Sequence, residues 1–154
     1  MVGMLETRER NDADCEIVTS WIENAAALNL FTGLRLQWPL DPQQLAGMSQ
    51  VAGFSAWVMV DSASGSVVGH FDLTIPDRTA RLGRVILDPD RRGLGLAHAL
   101  VGLAEHKARQ LGAVELVLNV IDGNLPAIRT YENAGFHRTA LSDRPDVITM
   151  TLTL

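Results

Sequence analysis

The chain has 154 residues, 47% of them hydrophobic and 20% charged, which suits one domain with a buried core. No apolar run reaches bilayer-spanning length, residues 1–11 lack the apolar stretch of a signal peptide, and the single cysteine, Cys15, excludes an internal disulfide. A net charge of −5 argues against broad nucleic-acid binding, and four scattered histidines with one thiol make no metal-ligand cluster. The expectation is a cytoplasmic single domain with no metal, no membrane and no nucleic acid among its partners.

Met4–Arg8 reads as a short first strand. Asn11-Asp12 supply an N-cap, and Ile17, Val18, Trp21 and Ile22 recur at helical spacing, so Asp12–Ile22 is expected as an amphipathic helix. Asn24–Phe31 follows as a second helical piece and Gly33–Leu40 as an irregular stretch. Asp41-Pro42, cap and first position, then start a short helix through Met48. From Phe54 the period changes to two. Phe54–Val60 and Val67–Ile75 form a hairpin about Asp61–Gly65, and Ala80–Leu87 extends it to an antiparallel meander. Leu96, Ala97, Leu100, Val101, Ala104, Ala108 and Leu111 then line one face of a long helix that stops at Gly112. Val114–Val120 is a strand parallel to Ala80–Leu87, because a whole helix connects them. A helix over Ala127–Ala134 and two strands, Phe136–Leu141 and Val147–Leu154, close the chain around a turn at Asp143-Arg144-Pro145. The fold class expected is α/β (α+β): a mixed, mostly antiparallel sheet of six to seven strands with helices on both faces.

The stretch Arg84–Ala97 organises the rest. An apolar strand (Val85, Ile86, Leu87) meets Asp88-Pro89, a basic glycine-rich turn follows, and a helix begins at once. Gly93 and Gly95 are read as removing Cβ atoms that would block close backbone approach, and the first N–H groups of the helix have no partners of their own. Those donors and the positive helix end suit a pyrophosphate. Leu96-Ala97 stand where a Walker A loop would carry its lysine and hydroxyl, and a dinucleotide fingerprint needs three glycines in an early βαβ unit, whereas this turn comes past the middle of the chain.

The spacing Arg92-x-x-Gly95-x-Ala97 resembles the acyl-CoA pyrophosphate loop of the GNAT superfamily of N-acyltransferases. One helix and one strand later, Asn124-x-x-Ala127-Ile128-x-x-Tyr131-x-x-x-Gly135-Phe136 resembles the signature that closes the same fold. Two motifs in register are far more specific than either alone, and the resemblance covers about Phe54 to Leu154. It divides the single domain into variable substrate-side helices (1–53) and a CoA-binding core (54–154).

The resemblance implies acetyl-CoA as co-substrate, without a metal, and a small amine or a peptide N-terminus as acceptor. Val85, Ile86 and Leu87 would offer backbone groups to the pantetheine arm, and an N–H of Ile86 or Leu87 would polarise the thioester carbonyl. Arg92, Gly93, Leu94, Gly95, Leu96, Ala97 and His98 would wrap the pyrophosphate. Asn124 is either an N-cap or a contact to the arm. Tyr131 would act as general acid toward the departing thiolate. Some family members carry a catalytic glutamate five residues before that asparagine, where this chain has Asn119. An amide cannot take the amine's proton, so Asn119 is left to orient water or substrate. Asp72 or His70, two residues apart on one strand face, are the substitute bases. Each is also read as a surface polar residue on a half-exposed strand. A CoA-binding regulatory module with weak catalysis is the alternative function, motivated by the missing glutamate, and the fold admits a homodimer through its edge strands.

Overall fold

Asn11 and Asp14 explain where the first helix begins. In the computed structural model, which describes residues 4–32, 36–48, 51–139 and 144–154, the Asn11 side chain accepts from the Asp14 N–H at 3.0 Å. The Asp14 carboxylate accepts in return from the Asn11 N–H at 2.8 Å. This reciprocal cap starts α1 (Asp12–Ser20), which ends two residues before the expected Ile22. The Asn24 side chain accepts from the Ala27 N–H at 2.8 Å and so caps α2 (Ala25–Thr32) instead of joining it. Asp41 caps α3 (Pro42–Gly47) as expected, accepting from the Gln44 N–H at 2.9 Å. Part of the irregular stretch, residues 33–35, lies outside the described residues.

The first strand, β1 (Leu5–Glu9), pairs with β2 (Phe54–Asp61), and β3 (Ser66–Thr74) and β4 (Thr79–Leu87) complete the antiparallel meander. A helix, α4 (Leu96–Gln110), carries the chain over to β5 (Glu115–Ile121), parallel to β4. Beyond α5 (Leu125–Asn133) come β6 (His137–Arg138) and β7 (Val147–Thr153), and β7 inserts between β5 and β6. Among the described residues the sheet has seven strands in the order β1-β2-β3-β4-β5-β7-β6, with β4–β5 the parallel pair. Within the stretch expected as a strand over Phe136–Leu141, β6 takes His137 and Arg138, and Phe136 before it is buried in an edge-on contact with Tyr131, 5.7 Å between ring centroids. Leu141 and Asp143 of the expected turn lie outside the described residues.

Helices cover both faces. Leu96, Leu100, Val101, Ala104 and Ala108 of α4, with Ile128 and Tyr131 of α5, bury against Phe71, Leu82, Leu116 and Met150 of the sheet. Leu111 lies past the end of α4 and is exposed. On the opposite face a second core gathers Cys15, Val18, Leu28, Phe31 and Leu45 from α1, α2 and α3. Among the described residues, no helix is long and apolar enough to cross a membrane.

One feature of the sheet positions the site. β4 and β5 are paired only from Thr79–Glu115 to Leu82–Leu118. Past that point β5 continues with β7 as far as Ile121–Val147, while β4 stays with β3 through Leu87. The two central strands therefore splay apart and leave a slot between them.

Candidate active site

The splay begins at a bulge. Asp72 pairs with Gly83 and His70 with Ile86, which leaves one extra residue in β4. Arg84 sits in it with φ of 45°, a left-handed backbone that costs a non-glycine residue energy and must be held by its surroundings. The Arg84 guanidinium donates to both Asp72 oxygens, through Nε to Oδ2 and through Nη2 to Oδ1 at 2.9 Å. Its Nη1 reaches Thr32 Oγ1 at 3.3 Å. The Arg84 carbonyl accepts from His70 Nδ1 at 2.7 Å, and His70 Nε2 accepts from Arg10 Nη1 at 3.1 Å. All three residues, His70, Asp72 and Arg84, are buried.

These contacts correct the assignment of substitute bases. A carbonyl can only accept, so His70 carries its proton on Nδ1, and the lone pair on Nε2 faces a guanidinium. Burial first, then the charges of Arg10 and Arg84, lower the His70 pKa to about 3 against one opposing bond to the Arg84 carbonyl. Asp72 has both oxygens engaged by Arg84. Neither residue is the exposed strand polar group of the sequence reading: both are buried, His70 between Arg10 and the Arg84 carbonyl and Asp72 against the Arg84 guanidinium. They do share the face that carries α1 and α2, where Phe31 approaches the His70 ring at 6.0 Å.

Beyond the bulge a cleft of about 640 Å³ opens between α1–α2 on one side and α4–α5 on the other. Val85, Ile86 and Leu87 line it; Ile86 and Leu87 pair with β3 on one edge, and among the described residues no strand pairs with the three on the other. Arg92, Gly93, Gly95, Leu96 and Ala97 form its mouth. Gly93 and Gly95 have φ of 82° and 76°, and a Cβ at either would meet no protein atom within 4 Å. The left-handed turn requires the glycines, whatever the space around them. Gly95 caps α4 without a side-chain bond, and among the described residues the N–H groups of Gly93, Gly95, Leu96 and Ala97 have no partner. Leu94 and His98 point to solvent and do not line the cleft.

Tyr131 and Asn124 meet the other sequence-predicted residues in this cleft. The Tyr131 ring is buried, and among the described residues its hydroxyl has no hydrogen-bond partner. Burial pushes the phenol pKa above its ordinary value, so it stays protonated. Asn124 stands at the N-cap position of α5 but makes no side-chain cap bond, and it lines the cleft. Asn119 lies apart, lining a smaller cavity of about 130 Å³ behind the splay together with Asp72 and Arg84. Its Oδ1 accepts from Thr149 Oγ1 at 2.8 Å.

Two elements of the site escaped the sequence reading. Arg84 falls inside the expected strand Ala80–Leu87, and nothing in the residue type signals a left-handed backbone. The Trp21–Phe31 segment supplies one wall of the cleft, including the carboxylate of Glu23. Its helical spacing was legible, but which wall it forms depends on tertiary packing.

The Acetyltransferase (GNAT) family matches this chain over residues 29–136. The chain belongs to the GNAT acetyltransferase family. Within it, the mycothiol acetyltransferase of Thermomonospora curvata is 33% identical over 87 residues, which is 56% of this chain and 29% of that protein. The glucosamine 6-phosphate N-acetyltransferase of Trypanosoma brucei brucei is 31% identical over 99 residues, 60% of this chain and 65% of that protein. The chain thus spans less than two thirds of the length of either relative. The spermidine N-acetyltransferase of Vibrio cholerae, solved in complex with CoA and spermine, has the same fold. Its TM-score is 0.78 at 19% identity, covering 97% of this chain and 95% of that one.

Proposed function

We propose that the chain transfers the acetyl group of acetyl-CoA to a primary amine by direct attack in a ternary complex. The observation that carries this reading is the cleft beyond Leu82 and Leu118, where unpaired strand edge, unpaired loop N–H groups and the unpartnered Tyr131 hydroxyl face one space. The family relatives named above are acetyltransferases, which supports the same chemistry.

When bound, acetyl-CoA supplies an activated acyl group as a thioester. The chain's part begins at the mouth, where Arg92 and the N–H groups of Gly93 to Ala97 hold the pyrophosphate at the positive end of α4. The free edge of Val85–Leu87 pairs with the pantetheine arm as an added strand, and Asn124 adds a side-chain bond to it. An N–H of Ile86 or Leu87 stabilises the oxyanion that forms on the carbonyl as the amine attacks. A C–N bond forms and the C–S bond breaks. Tyr131 gives its proton to sulfur, and the amine's proton leaves through water, which restores the phenol. The helices before residue 54 shape the acceptor side, and the core from 54 onward binds CoA.

Thermal unfolding with acetyl-CoA, ATP or NAD, paired with free-thiol release over a panel of amines, tests the proposal. Acetyl-CoA alone is expected to raise the melting temperature, and at least one amine to release thiol. Stabilisation by ATP or NAD and not by acetyl-CoA would contradict the assignment of the loop. Stabilisation by acetyl-CoA without thiol release from any amine would favour the CoA-binding module.

A further inference from the structure

The smaller cavity behind the splay suggests what the acceptor carries beside its amine. It shares Leu30 and Phe31 with the large cleft, so the two spaces adjoin at the end of α2. Its volume of about 130 Å³ equals the share of roughly four water molecules, room for a small polar group and little more.

The hydrogen-bonding inventory of its walls is one-sided. Three guanidinium groups line it, from Arg81, Arg84 and Arg144, against one carboxylate among the described residues, Asp72. Both Asp72 oxygens already accept from Arg84. Arg144 has Asp146 beside it at 3.3 Å, whereas Arg81 has no ion-pair partner among the described residues. The neutral groups lean the same way. Thr32 Oγ1 accepts from Arg84 and keeps its own proton to give, and Asn119 spends its carbonyl oxygen on Thr149, leaving its NH₂ as donor. What the walls have left over is donors and positive charge. A cationic tail placed here would meet like charge and few open acceptors, while a carboxylate or phosphate would meet both charge and geometry suited to it.

We propose that the acceptor is an amine carrying an anionic group, a carboxylate or a phosphate, which this cavity binds through Arg81 while the amine faces the thioester. This rests on the acetyltransferase reading and narrows it.

The test is thiol release from acetyl-CoA with matched amines that share one short carbon skeleton and end in a carboxylate, a phosphate, a neutral amide or a second amine. Wild type and Arg81→Gln are compared, and melting temperature with acetyl-CoA alone is followed in parallel. The anionic amines are expected to have the highest kcat/KM, and the carboxylate and phosphate arms show which anion is preferred. Arg81→Gln is expected to raise KM for the preferred anionic amine about tenfold, with KM for acetyl-CoA unchanged. Preference for the diamine or amide, an unchanged KM in Arg81→Gln, or no turnover of either anionic amine by a protein that acetyl-CoA stabilises would each overturn the proposal. Failure of acetyl-CoA itself to stabilise the protein would instead overturn the parent reading.

Discussion

His70 sits wholly buried with Nδ1–H on the Arg84 carbonyl and Nε2 facing Arg10, and its pKa is lowered to about 3. The folded state therefore stays unprotonated where the unfolded chain, with an ordinary histidine near 6.5, already takes up a proton. Its contribution is fully present above that value and is lost as pH falls toward 3. Between about pH 7 and about pH 5 the loss should be about 2 kcal/mol. Urea unfolding at both pH values, in wild type and in His70→Gln, checks this. The variant should lose distinctly less stability over that interval, and an equal loss in both would refute the buried neutral imidazole. The same geometry has a kinetic consequence. With His70 and Asp72 engaged by Arg10 and Arg84, kcat/KM for the amine should climb with pH toward the acceptor's own pKa, without an inflection near 6.5. A histidine-like inflection abolished by His70→Gln would contradict it.

At the scale of elements, the bulge in β4 depends on a buried ion pair with Arg84 and Asp72 side chains 6% and 1% exposed. Asp72→Asn leaves a buried guanidinium without its counter-charge. A loss of about 3–5 kcal/mol is expected, read as a fall in urea midpoint. A loss under about 1 kcal/mol would mean that the pair does not hold the bulge. In the loop, Gly95→Ala forces a Cβ into a left-handed position with φ of 76°. It should cost about 1 kcal/mol of stability and weaken acetyl-CoA binding more than that strain alone explains. Titration calorimetry on the variant is the check. These two elements differ in how legible they were. Gly93 and Gly95 announced their turn because only glycine takes that backbone cheaply, so residue type encoded geometry. Arg84 gave no such sign, since its conformation is imposed by Asp72, His70 and Thr32, which lie 12, 14 and 52 residues away in sequence.

For the molecule as a whole, the element order followed from periodicity, and the family resemblance from two motifs in register. Apolar spacing at two and at 3.6 residues survives in one dimension. The chemistry of the acceptor side did not follow. His70 and Asp72 share one face as their spacing implies, but the two arginines that engage them, Arg10 beyond the end of β1 and Arg84 in the bulge, reach them through contacts that only packing makes. What the whole assembly then presents is one cleft, with an unpaired strand edge and a donor-rich mouth leading to the unpartnered phenol of Tyr131. The most direct test of that account is thiol release from acetyl-CoA by Tyr131→Phe beside wild type, with the best amine of the panel. The account predicts a fall in kcat of about ten- to a hundredfold, since a thiolate leaves tolerably without help, and a KM for acetyl-CoA within about twofold of wild type. An unchanged kcat would contradict the placement of the general acid and, with it, the orientation of the thioester in the slot.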